Sequence, residues 1–224
     1  MNYITFVLAV IGAYLLGSIP FGLIIAAAHG KDLRAIGSGN IGATNVSRAL
    51  GRKWAYVCFF LDVLKGLIPT LAAMFLAGSQ ATLSHPEKIV ALWLCLAVGC
   101  AAIAGHVFPV YIRFKGGKGV ATSFGVALGI WPYYTICAAF AIVTWLVVVL
   151  IWRYVSLASI VASAVFPITL TSAIMLMKNW RFTDLWPLLV VAVFIPLMVT
   201  IRHRRNIKRL IEGTEAKIQK KEQT

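Results

Sequence analysis

Two short stretches of this chain combine glycine, small polar side chains and basic residues in patterns that suit anion binding. The first, GSGNIGATN at 37–45, carries Gly37, Gly39 and Gly42, where the lack of a side chain lets backbone N–H groups converge. Ser38, Asn40, Thr44 and Asn45 add short polar arms near the start of the next helix. Arg48, three residues beyond Asn45, can close on the same anion with its guanidinium fork. In the second, GHVFPVYIRFKGGKGVATS at 105–123, Lys118 stands between Gly117 and Gly119 and two residues after Gly116. A point charge therefore lies beside backbone that a phosphate can approach closely, although the spacing is not that of a Walker A loop. The competing readings are a flexible connector for the first and a positive-inside turn for the second.

A third basic stretch, RHRRNIKRL at 202–210, leaves the last apolar run. On a helix His203 and Asn206 share a face, with Arg202, Arg205 and Arg209 on a neighbouring one. Taken alone, this reads as a basic helix on a membrane surface. Ser156 and Ser159, just after Arg153, open another apolar run and suit either helix caps or site hydroxyls. Asp62 and Lys65 lie three residues apart inside an apolar segment, where isolated charges are costly. They are expected to pair with each other, the alternative being that they line a wet path. His106, beside Gly105 at a helix end, reads as a satisfied structural imidazole rather than a base. The string at 37–42 also fits G-x-G-x-x-G, but a dinucleotide fold needs a strand before it, and here it lies between two apolar helices.

What must position these residues is a set of membrane helices. Of the 224 residues 60% are hydrophobic and only 12% charged, with mean hydropathy +0.87, so there is too little polar surface to cover a soluble globule. Apolar runs at about 3–28, 54–78, 89–110, 119–131, 133–152, 155–177 and 185–201 predict an all-α, polytopic membrane protein in one domain over 1–212. A solvated basic tail is expected over 213–224. The first run has no Lys or Arg before it, which favours a first span over a signal peptide. Cys58, Cys95, Cys100 and Cys137 sit in apolar runs without metal-ligand spacing, and neither a metal nor a cofactor is expected.

The net charge of +14 is read as topology rather than nucleic-acid binding, because there is no soluble domain to read bases. The basic loops at 31–53 and 113–118 and the tail from 202 all fall on one side only if residues 119–152 cross twice, turning at Trp131–Pro132. That arrangement has seven transmembrane helices, the N-terminus outside and the C-terminus cytoplasmic. It leaves only Lys65, Lys88, Lys178 and Arg181 of the 21 Lys and Arg residues off the cytoplasmic face.

GSIPFG at 17–22, GSGNIGATNVSRALG at 37–51, LDVLKG at 61–66, GHVFPVY with FKGGKGVAT through 122, RYVSLAS at 153–159 and RHRRNIKRL at 202–210 together resemble the bacterial acyl-phosphate:glycerol-3-phosphate acyltransferases. The motifs run in family order from the first span to the last. The resemblance implies an inner-membrane enzyme with its site facing the cytoplasm. It would move a fatty acyl group from acyl phosphate to the 1-hydroxyl of glycerol 3-phosphate, giving lysophosphatidic acid and phosphate. It further implies membrane lipid as surroundings, no cofactor, and a functional link to a soluble enzyme that makes acyl phosphate. Carried onto this sequence, the family pattern sets glycerol 3-phosphate against Arg48, Lys118, Ser159, His203 and Asn206. Ser38, Asn40 and the glycines of both loops would hold the acyl-phosphate end. Another glycerolipid acyltransferase class uses a His and an Asp five positions apart, and none of His29, His85, His106 and His203 has that partner. The alternative from a different class is a phosphate or organophosphate transporter, with Asp62 and Lys65 on its path.

Overall fold

The computed structural model describes residues 3–78 and 83–218, and these contain helices and no strands. The first apolar run breaks into α1 (Tyr3–Ser18) and α2 (Phe21–Ala28) at Ile19–Pro20, where proline has no N–H to continue the helix. A short amphipathic helix, α3 (Ala43–Leu50), follows the first glycine loop, and Gly51, in a left-handed φ, separates it from α4 (Arg52–Ala77). Helix α5 (His85–Val107) starts on a capping box in which Ser84 and Glu87 bond reciprocally. Then come a 3₁₀ turn at Val110–Ile112, α6 (Val120–Gly129), α7 (Tyr133–Trp152), α8 (Val155–Leu176), α9 (Phe182–Arg202) and α10 (Arg204–Ile211).

Among the described residues, six segments are long and apolar enough to cross a membrane: Tyr3–Ala28, Arg52–Ala77, His85–Ile112, Tyr133–Trp152, Val155–Leu176 and Phe182–Arg202. Helix α6 has only 10 residues. At ~1.5 Å per residue it covers about half of a ~30 Å hydrocarbon core. The chain turns at Trp131–Pro132 between α6 and α7, where the sequence predicts it. Leucine-sized residues such as Phe75, Leu150 and Leu176 are strongly exposed, as lipid-facing helices require.

Lipid tails are as apolar as leucine, so the helices are held by close backbone approach rather than by expulsion of water. Helix α6 lies against α4 on two glycines, since a methyl group on Gly66 would run into the Thr122 carbonyl and one on Gly125 into the Val63 carbonyl. Helices α1 and α5 pair closely, as do α7 and α8. Tyr134, Leu188, Leu92 and Ile130 belong to a buried apolar cluster that extends to Ile103 and Val107, beside Gly119.

The segment directly after Gly213 is not the solvated tail expected there. Gly213, at φ +70°, turns the chain back after α10, and the Ile218 N–H donates to the Arg153 carbonyl at 2.9 Å. The Lys217 ammonium lies 5.4 Å from the centre of the Tyr154 ring, and Glu215 is buried. Residues 214–218 are therefore seated on the protein; residues 219–224 of the expected tail lie outside the described residues.

Candidate active site

The glycine loop at 116–119 is held on three sides. The Gly117 N–H donates to the His106 carbonyl at 3.0 Å. The Arg202 guanidinium donates to the Gly116 carbonyl at 3.2 Å and to the Gly117 carbonyl at 2.9 Å. Gly117 also rests against the His106 ring so closely that a methyl group there would overlap Nε2. Gly119, at φ +83°, then opens α6. This fixed loop aims Lys118 at the end of the bundle, where its Nζ donates to Asn206 Oδ1 at 2.6 Å.

From there a polar chain runs through the site. Asn206 Nδ2 donates to Glu215 Oε1 at 2.6 Å, Ser156 Oγ donates to the same oxygen at 2.7 Å, and Arg209 Nε donates to Oε2 at 2.7 Å. Burial alone would raise the Glu215 pKa, but the bonds from Asn206, Ser156 and Arg209 outweigh it and hold the carboxyl below its ordinary range. Lys118 is pulled the other way. Burial depresses its pKa first; Glu215 opposes that, while Arg209, Arg48 and Arg202 add to it, and the net value is about 8. His203 is buried beside it. Its Nδ1 donates to the Val199 carbonyl at 2.8 Å, so in the neutral ring Nε2 carries the free lone pair. Burial, then the Lys118 charge, push the pKa of His203 down to about 4.

Of the residues expected in the site, Lys118, Ser156, His203 and Asn206 come together at the ends of α6, α8 and α9, and Arg48 is near enough to act on the Lys118 charge. Ser159 is adjacent, but its O–H is used on the Val155 carbonyl at 2.8 Å and its oxygen accepts from Trp145 Nε1 at 3.2 Å. It has no donor left for a ligand. The first glycine loop also differs from a ring of free amides. Ser38 N–H donates to Asn45 Oδ1 at 3.0 Å and Gly39 N–H to the Ile36 carbonyl at 3.1 Å, both inside the loop. Asn45 is fully engaged too, since Nδ2 donates to the Leu33 and Ile36 carbonyls at 2.9 and 3.0 Å. It shapes the loop that presents the exposed Ser38, Thr44 and Arg48 rather than facing a ligand itself. The two loops meet where Arg34 Nη2 reaches the Lys115 carbonyl at 3.4 Å.

Sequence reasoning missed Arg202, Arg209 and Glu215 as parts of the site. The one available signal was a pair of acids, Glu212 and Glu215, flanking Gly213 in a basic segment of a chain with seven acidic residues in all. Asp62 and Lys65 pair as expected, at 2.8 Å and fully buried.

A site with four cations, Arg48, Lys118, Arg202 and Arg209, around one carboxylate is suited to an anion of more than one charge. Comparison with known proteins agrees. Residues 7–213 match the family model described as glycerol-3-phosphate acyltransferase. The chain is 47% identical over 209 residues to the glycerol-3-phosphate acyltransferase of Geotalea daltonii, covering 93% of this chain and 95% of that one. It is 44% identical over 208 residues to that of Aquifex aeolicus, covering 92% and 95%. Among solved structures it resembles PlsY (YgiH), an integral membrane glycerol 3-phosphate acyltransferase. The glycerol 3-phosphate form aligns with TM-score 0.80 at 41% identity, and the lysophosphatidic acid form with 0.78 at 40%; each alignment covers 96% of both chains.

Proposed function

Since the chain belongs to the glycerol-3-phosphate acyltransferase family, we propose that it transfers a fatty acyl group from acyl phosphate to the sn-1 hydroxyl of glycerol 3-phosphate, releasing lysophosphatidic acid and phosphate. The observation that carries this reading is the excess of positive charge at the site: four cations and one carboxylate, gathered from α3, the second loop, α9, α10 and the segment after it. Two phosphate substrates supply the missing negative charge, and the lipid-facing helices beside the site suit the acyl tail of the donor.

Acyl phosphate is already an activated anhydride, so no protein nucleophile is required. The glycerol hydroxyl attacks the acyl carbon, the ester C–O bond forms, the bond from acyl carbon to phosphate oxygen breaks, and the hydroxyl proton leaves on the phosphate. Ser38, Asn40 and the glycines of both loops are assigned to the acyl-phosphate end, where charge builds on the departing phosphate and the tetrahedral oxygen. Arg48, Lys118, His203 and Asn206 are assigned to glycerol 3-phosphate. With a pKa of about 4, the His203 ring is too weak a base to remove an alcohol proton, so its Nε2 lone pair orients the hydroxyl instead.

The basic loops support a seven-span arrangement in a bacterial inner membrane, with the site on the cytoplasmic side, where a soluble enzyme would deliver acyl phosphate. The reaction is tested with purified protein, glycerol 3-phosphate and either acyl phosphate or an acyl thioester, following phosphate and lysophosphatidic acid together. Equal amounts of the two from acyl phosphate alone are expected. Product from the thioester alone would overturn the donor assignment.

A further inference from the structure

Asp62, Lys65 and His106 lie outside the anion site, yet they form a polar cluster inside the membrane part of the protein, exposed by only 3, 2 and 4%. Asp62 and Lys65 are one turn apart on α4, with Lys65 Nζ 2.8 Å from Asp62 Oδ1. The same oxygen is the polar atom nearest His106 Nδ1 in the ion pairs described, at 3.6 Å, just beyond hydrogen-bond length. Lys65 Nζ also donates to the Ile19 carbonyl at 3.1 Å, in the break between α1 and α2, and lies 5.7 Å from the Phe21 ring centre. One carboxylate thus links α4, the kink in the first span and the last turn of α5.

Adhesion between helices does not require this cluster. Helix α4 already meets α6 on Gly66 and Gly125, and apolar residues of similar volume often replace a buried ion pair at no cost in stability. What the charges add is position. The Ile19 end leads into α2, whose Gly22 is packed on the Ile41 carbonyl and on Val46, so α2 seats the loop that carries Ser38 and Arg48. The His106 end grips Gly117, with its carbonyl on the amide and its ring against the Cα. A shift of the ring would carry Gly117, and Lys118 with it.

We propose that Asp62, Lys65 and His106 form a positioning joint that holds the two anion-binding loops in register across the reacting bond. This deepens the acyl-transfer reading and rests on it for the two substrates. The joint touches neither of them; it fixes the distance between the groups that do. Misplacement of about 1 Å can cost on the order of a hundredfold in rate.

The test uses full-length Asp62→Asn, Lys65→Gln and His106→Gln beside wild type. It measures kcat, KM for each substrate, binding of glycerol 3-phosphate by calorimetry, and Tm. His106→Gln leaves the Asp62–Lys65 pair intact and is expected to raise the KM of one phosphate substrate about tenfold with Tm little changed. Asp62→Asn is expected to raise both KM values and lower kcat, and adding His106→Gln to it should cost little more, because both act through one joint. Folded variants with wild-type kcat, KM and binding, altered only in Tm, would reduce the cluster to scaffold and overturn the proposal. Should Asp62→Asn fail to fold, His106→Gln decides alone. A wild-type protein without turnover would count against the acyl-transfer reading, and the binding comparison between wild type and His106→Gln would still judge the joint.

Discussion

Lys118 is an ammonium held among arginines, and its pKa of about 8 gives the site a pH signature. The charged form is the one that meets phosphate. It is therefore present below about pH 8 and lost as pH rises through that value, so kcat/KM should fall on the alkaline side. Lys118→Arg keeps its charge throughout and should remove that limb while lowering the overall level, because a guanidinium does not reproduce a point charge on a short loop. An unchanged alkaline limb in that variant would assign it to another group. His203 stays neutral across the same range, so His203→Ala should lose turnover without altering the shape of the profile. Arg48→Ala and Lys118→Ala each remove a charge-assisted contact of about 1.5 to 3 kcal/mol, and turnover should drop tenfold or more with normal membrane insertion. Near-native turnover in either would defeat its assignment. These residues were legible in the sequence because their types state their chemistry. Asn45 and Ser159 carry equally polar types, and only the structure shows that their hydrogen bonds are turned inward.

At the scale of elements, the second loop works because it is clamped. Gly117→Ala would press a methyl group into the His106 ring, and backbone on one side and a buried ring on the other leave it nowhere to go. Its kcat/KM should fall by at least about tenfold with the helices intact, measured against Gly12→Ala, whose methyl group meets nothing within 4 Å. A fully active Gly117→Ala would mean that the loop moves freely. The C-terminal segment is the element the sequence hides. Periodicity and charge make 213–218 look solvated, and bonds from Ser156, Asn206 and Arg209 to Glu215 and from Ile218 to Arg153 seat it. The Ser156–Glu215 contact spans 59 positions and leaves no local pattern to read. Glu215→Gln removes the charge that Arg209 faces. With Arg209 partly exposed, the loss is on the order of 2 kcal/mol, a fall in Tm of several degrees accompanied by reduced turnover. An unshifted Tm would show the segment to be loosely held. The same linkage predicts that wild type loses this contribution as pH falls through the depressed pKa of Glu215, not as it rises.

At the scale of the whole molecule, the places of the apolar helices follow from hydropathy, and the short fourth run is resolved as a 10-residue helix laid on α4 by Gly66 and Gly125. Its packing was not readable in advance, because a glycine in an apolar run looks the same whether it faces lipid or another backbone. Orientation rests on charge. If the basic loops face the cytoplasm, Lys115 and Lys178 lie on opposite sides, since α8 runs from Ser156 at the site end to the loop after Leu176. Single cysteines placed at Lys115 and Lys178 should report this to a membrane-impermeant maleimide. In intact cells with a permeabilised outer envelope, only the position-178 cysteine should react, and lysis should expose the position-115 cysteine. Cys58, Cys95 and Cys137 are buried and contribute little background; the parent protein measures the rest, including the exposed Cys100. Labelling at position 115 from outside would invert the topology and put the anion site on the wrong face to receive a cytoplasmic acyl donor. Labelling of both positions from outside would mean that residues 119–152 cross an odd number of times, and α6 would then be a packed half-helix rather than a span.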